Sequence, residues 1–139
     1  MRVEMGVKRE LLTLSRDGRG SVCEPLAGAE LASQRNVHVV LTEPGQVRGN
    51  HYHLRGTETV TVYGPALARV REGGEVSDTH IPEGQAVRFT FPPGVAHAFK
   101  NTGERTNVLI AFNTVEHDPR APDVVRDELI ESSGARLLR

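Results

Sequence analysis

The sequence predicts one all-β domain, and three observations support that reading. Glycine and proline, 14 and 8 of the 139 residues, are spread along the chain instead of gathering in one linker, at the spacing of roughly 8 to 12 residues that turn signals show in all-β domains. Between them lie short runs rich in Val, Thr, Phe and Ile, the residues that fit a pleated, half-buried surface. In Glu58-Thr-Val-Thr-Val-Tyr63 the pattern alternates strictly, which puts Glu58, Val60 and Val62 on one face and Thr59, Thr61 and Tyr63 on the other.

In chain order, the pattern predicts a weak helix over 26–33, then strands over 36–42, 48–53, 58–63, 66–71, 75–81, 86–91, 97–101 and 106–113. Leu54 to Thr57, with Gly56 to relieve the backbone, reads as a hairpin loop that would set Glu58 across from His53. Glu72-Gly73-Gly74 reads as a tight hairpin turn joining two of the strands. A helix is expected near the C-terminus, over about 122–131, where Pro122 suits the first turn and Asp123 its positive end. About eight short antiparallel strands must hide their edges, and a closed barrel or a two-sheet jelly roll does so economically.

The length allows a single domain over 1–139 and leaves no room for a second catalytic domain. Seventeen basic against eighteen acidic residues give a net charge of -1, so nothing electrostatic points to a nucleic acid polymer or an anionic membrane as partner. The lone Cys23 cannot form an internal disulfide and reads as a small buried side chain. The start, MRVEMGVKRELLTL, lacks the apolar run of a signal peptide, so a cytoplasmic location is expected.

The chemistry concentrates in Gly45-Gln-Val-Arg-Gly-Asn-His51-Tyr-His53-Leu-Arg-Gly-Thr-Glu58. His51 and His53, two residues apart on a strand, project from the same face, and Glu58 is brought close by the turn. A later strand follows Pro92-Pro93-Gly94-Val95-Ala96-His97, and His97 would add a third imidazole if the barrel brings it alongside. Three nitrogens and one oxygen suit Zn, Fe, Mn, Ni or Cu better than Ca or Mg, which prefer oxygen shells. Phe89, Phe91 and Phe99 read as core, Asn101 as a residue that secures a turn or neighbouring strand, and His38, His80 and His117 as structural or exposed, since none has a spacing partner.

These motifs resemble the cupin superfamily. Its first pattern, G-x5-H-x-H-x(3,4)-E-x6-G, fits Gly45, His51, His53 and Glu58, with the closing Gly64 one residue early. The second, G-x5-P-x-G-x2-H-x3-N, fits Pro92, Gly94, His97 and Asn101, with Gly84 two residues early. The resemblance implies an RmlC-like jelly-roll β-barrel holding a divalent transition metal, zinc first, between His51, His53, Glu58 and His97. It also implies a homodimer.

Within the cupins, Arg48-Gly-Asn-His-Tyr-His53 and Asp17-Gly-Arg19-Gly20-Ser-Val-Cys-Glu24 resemble segments of the dTDP-4-dehydrorhamnose 3,5-epimerases. The chain is similar still more closely to the cupin domain of capsular polysaccharide assembling proteins of the CapF type, including its tail, Glu116-His-Asp-Pro-Arg-Ala-Pro-Asp123. Together these imply epimerisation or keto-isomerisation of a nucleotide-linked 4-keto sugar in polysaccharide or glycosylated-metabolite biosynthesis. Arg19, Arg48 and Arg55 are then the candidate anion donors. The relatives differ over His51, a free base in the rhamnose enzymes and a metal ligand here. A metal-bound imidazole has committed the lone pair a base needs, so the ligand role is favoured; the metal would then polarise the C4 carbonyl or hold a water of lowered pKa that removes the proton at C3 or C5, with Tyr52 or Tyr63 as alternative bases although alternation points both away from the ligand face. A metal-dependent oxygenase and a non-catalytic binding cupin are the rival readings.

Overall fold

The computed structural model describes residues 6–132. All eight expected strands form, each within one residue of its expected bounds: β4 Asn36–Thr42, β5 Val47–His53, β6 Glu58–Tyr63, β7 Ala66–Glu72, β8 Glu75–Ile81, β9 Ala86–Phe91, β10 Ala96–Asn101 and β11 Asn107–Asn113. Four short strands are additional: β1 Lys8–Leu11, β2 Ser15–Asp17, β3 Gly20–Val22 and β12 Val124–Arg126. The helix α1 is a single turn, Gly28–Leu31. None of the described helices is long and apolar enough to cross a membrane.

Two five-stranded sheets carry the fold, in the orders β1-β9-β6-β11-β4 and β12-β5-β10-β7-β8. They pack as an open jelly roll, not a closed barrel. Their facing surfaces bury Phe89, Phe91 and Phe99 at 0, 1 and 4% exposure, with Val60, Val62, Val70 and Leu109 around them. Each fully buried side chain of this kind contributes about 1.5–3 kcal/mol. The β7–β8 hairpin turns as expected, with Gly73 and Gly74 at φ 61° and 84° between the paired Glu72 and Glu75. Both glycines occupy the left-handed region that a two-residue hairpin turn requires.

Two expectations are corrected. The 54–57 segment is not a hairpin, because β5 and β6 belong to different sheets: β5 pairs with β10 and β12, and β6 with β9 and β11. The segment carries the chain across the sandwich, and Glu58 meets His53 between the sheets instead of along a ladder. The C-terminal helix over 122–131 is absent. Val124, Val125 and Arg126 instead extend the second sheet by pairing with His53, Tyr52 and His51, so backbone groups that a helix would need are spent on the ladder. After them Asn50 accepts from the Leu129 and Ile130 amides and donates to the Ile130 carbonyl.

The open side of the sandwich lies between β4, an edge of the first sheet, and β5 with β12 at the edge of the second. On β4, Val37, Val39 and Leu41 are 54, 68 and 59% exposed. The alternate residues, Asn36, His38 and Val40, line clefts on the inner side.

Candidate metal centre

A bulge before the first histidine aims the donors. On β5, His51 pairs with His97 and Gly49 with Ala98, leaving Asn50 as the extra residue. Gly49 and Asn50 have φ of 87° and 59°, and a Cβ on Gly49 would lie 2.7 Å from the His97 carbonyl oxygen. Glycine is therefore required where the two strands come closest. Beyond the bulge His51 and His53 face between the sheets, β6 presents Glu58 from the opposite sheet, and β10 presents His97.

His51, His53, Glu58 and His97 each offer one ligand atom, and all four atoms lie within 4.8 Å of one another. Glu58 Oε1 is the focus, 2.7 Å from His97 Nε2, 3.1 Å from His53 Nε2 and 3.9 Å from His51 Nε2. Ligands at about 2.0–2.1 Å from zinc stand roughly 3.3–4.2 Å apart, so a coordination sphere would form with small shifts, His53 and His97 moving slightly away from Glu58 Oε1 and the more widely spaced donors closing in.

The outer ring nitrogens support that use. His53 Nδ1 donates to Asp123 Oδ2 at 3.3 Å, and His97 Nδ1 donates to the Val95 carbonyl at 3.1 Å. In this structure the Nε2 atoms of both rings bond Glu58 Oε1; with an ion in place, the outer partners would hold the proton on Nδ1 and turn the Nε2 lone pair to the metal, as outer-shell acceptors do for metal-bound histidines. The donor set thus fits a divalent transition metal. Phe91 stacks on the His97 ring with centroids 4.0 Å apart, closing the floor.

Electrostatics agree with the geometry. Burial pushes the Glu58 carboxyl up, but bonds from His51, His53 and His97 outweigh it and hold the group well below the carboxylate range. For His53 burial lowers the pKa, and the Glu58 and Asp123 carboxylates more than reverse it. Asp123 is itself kept low: the amides of Arg55 and Gly56 and the His53 ring outweigh its burial. The centre is a balanced set of charges whose cationic side a metal can supply.

Two clefts flank the donors. One, of about 280 Å³, runs between β4 and the 115–124 segment and includes His51, His53, Glu58, Glu116, His117 and Asp123. Among the described residues, no lysine or arginine lines it. The other, of about 210 Å³, includes Arg48, His51, Glu58 and His97.

The Polysaccharide biosynthesis C-terminal domain family matches residues 15–125. The chain belongs to that family. Among curated proteins it is 26% identical to the spore coat polysaccharide biosynthesis protein SpsL of Bacillus subtilis (strain 168), over 87% of each chain. Among solved structures it is similar to the capsular polysaccharide assembling protein CapF of Staphylococcus aureus, with 26% identity and a TM-score of 0.63 over 85% of this chain. This chain spans only 33% of CapF. ChmJ, a 3'-monoepimerase from Streptomyces bikiniensis solved with dTDP-quinovose, superposes with a TM-score of 0.69 at 19% identity, covering 87% of this chain and 69% of that one. The fold is that of the RmlC-like cupins.

Of the residues singled out in the sequence, His51, His53, Glu58 and His97 come together and Arg48 lines the adjoining cleft. Arg48 also ties β5 to β4, donating to the Leu41 carbonyl at 2.7 Å and to Thr42 Oγ1 at 3.3 Å. Arg55 sits at the rim, its side chain 58% exposed and 3.3 Å from Asp123.

Arg19 and Tyr63 are not brought to the centre. Arg19 stands in the β2–β3 turn, 92% exposed and paired with Asp17. Tyr63 ends β6 five residues beyond Glu58, about 16 Å away along a strand. It lines a separate depression with Leu41, Pro65 and Glu83. Its hydroxyl lies 2.9 Å from the half-buried Cys23 thiol, and burial, then Cys23, push it up to about 12, so it holds its proton.

Sequence reasoning missed Asp123, Asn113, whose side-chain amide lies 3.3 Å from His53 Nδ1, and the meeting of His38 with His117. The sequence pattern puts Asp123 at a helix start. Its signal was its place in the tail that resembles the CapF cupin domain. His38 and His117 are far apart in sequence, yet their rings meet edge-on with centroids 6.4 Å apart.

Proposed function

We propose that this protein is a metal-dependent cupin that epimerises or keto-isomerises a nucleotide-linked 4-keto sugar in polysaccharide biosynthesis. The observation that carries the proposal is the convergence of three imidazoles and a carboxylate in a solvent-open cleft with an arginine-bearing cleft beside it. The family and the similarity to SpsL support the pathway class.

His51, His53, Glu58 and His97 would hold the ion, zinc being the best match to three nitrogens and one oxygen. When bound it supplies Lewis acidity toward a ketone oxygen, which acidifies the neighbouring C–H. The cleft without lysine or arginine suits the uncharged sugar ring. Arg48, with N–H donors left after its two bonds to β4, suits a phosphate in the adjoining cleft.

The test is solvent deuterium incorporation into UDP- and dTDP-4-keto sugars, followed by NMR, alongside elemental analysis of the purified protein. Deuterium at the carbon next to the ketone is expected, with about one metal per chain. Absence of exchange across such a panel by metal-loaded protein would overturn the reading. For the ligand assignment, His51→Ala and His97→Ala are each expected to lower metal content, and unchanged stoichiometry in both would remove them from the set.

A further inference from the structure

The two clefts meet at a histidine that the donor set does not use. His38 sits at the middle of β4, opposite Ala111 on β11. The small methyl of Ala111 leaves room in front of the imidazole. His38, His51, Glu58 and Ala111 are the residues common to both clefts, so a ligand reaching from Arg48 toward the 115–124 segment must pass this ring. His38 is solvent-exposed and lies outside the donor set.

Proton removal next to a ketone needs a base with a free lone pair within reach of the carbon. With a metal bound, the inner nitrogens of His51, His53 and His97 are committed. Asp123 is engaged by the Arg55 and Gly56 amides and by His53. Asp118 accepts the Arg120 amide and pairs with its side chain at 3.2 Å, and these two contacts, the amide first, hold it below its usual range. Glu116 and His117 line only one cleft and lie on the irregular segment after β11. Among the described residues, His38 alone combines an imidazole outside the donor set, a place on a strand and a position on both clefts.

We propose that His38 is the base that moves the proton on the carbon beside the ketone; this rests on the reading given under Proposed function. In that step an N–H bond forms on the imidazole as the C–H bond breaks. The C–H electron pair becomes the C=C bond of an enolate, and the ketone oxygen takes the negative charge. Return of a proton to carbon restores the ketone, and in D₂O that proton is a deuteron.

The experiment compares wild type, His38→Gln and His38→Ala for metal content, for dTDP and UDP affinity by calorimetry, and for deuterium wash-in by NMR. Metal content is expected to be unchanged and nucleotide affinity to stay within about threefold, while wash-in falls by about 100-fold or more. Added imidazole is expected to restore part of the rate to His38→Ala. Wash-in within about fivefold of wild type in His38→Gln overturns the assignment, and so does loss of metal in both variants, which would make the residue structural. A wild-type protein that binds metal and shows no wash-in with any 4-keto sugar nucleotide defeats the functional reading itself, and the base assignment falls with it.

Discussion

Replacing Asp123 with asparagine perturbs the centre without touching any donor. Asp123 accepts the Arg55 amide at 2.8 Å on Oδ1, and the Gly56 amide at 3.0 Å and the His53 ring at 3.3 Å on Oδ2. Asparagine keeps one oxygen and turns an NH₂ group toward the remaining donors. A hydrogen bond to a charged group contributes about 1.5–3 kcal/mol, so metal-free Asp123→Asn should be less stable by about that amount in urea unfolding. His53 also loses the carboxylate that fixes its tautomer, which for comparable sites lowers metal affinity about 10- to 100-fold. Competition against a chelating zinc indicator measures that loss. An affinity within about threefold of wild type, with an unchanged unfolding midpoint, would refute the tautomer-fixing role.

Further outcomes follow from other contacts. Glu58→Gln removes the anion on which three histidines converge, and metal affinity should drop by at least about 10-fold in the same competition assay. Gly49→Ala should lower stability by about 1–3 kcal/mol, since it combines a φ of 87° with a Cβ 2.7 Å from a carbonyl oxygen; Gly18→Ala, with nothing within 4 Å, should leave the thermal midpoint nearly unchanged. Asp78 is held below its ordinary range chiefly by its bond to Arg69, with Oδ1 2.8 Å from Nε. Its folded pKa is depressed, so this stability is present above the unfolded value of about 3.9 and is lost as pH falls through the folded value. The pair is about one-third exposed, so Asp78→Asn should cost less than about 1 kcal/mol at pH 7, and the two stability curves should merge in acid.

The strands were legible because each carries its own signal. β6 alternates, β7 and β8 share a Gly-Gly turn, and β9 carries two of the core phenylalanines. The pairing partners were less so. A four-residue gap between β5 and β6 has hairpin length, and alternation cannot distinguish a turn within one sheet from a crossing between two. The proximity of Glu58 to His53 was anticipated on the wrong geometry. The tail was misread because Pro122 and Asp123 are good first-turn residues, whereas Asp123 is used by the 54–57 segment and Val124 and Val125 favour a strand. His38 reads in the sequence only as structural or exposed, because the role proposed for it depends on β4 lying at the open edge, a matter of topology and not of local pattern.

Asn50 gives the centre one more property. Its side chain grips Leu129 and Ile130 while the next residue along the chain, His51, is a donor. An isolated peptide covering His51 to Glu58 would lack His97, Asp123 and this latch, and could hold an ion only loosely. On the proposed metal reading, coordination would await closure of contacts nearly eighty residues apart, and a bound ion would fasten distant parts of the chain together, stabilising the native state by its mass-action term. Chelation should accordingly lower the melting temperature of the whole domain in one cooperative transition.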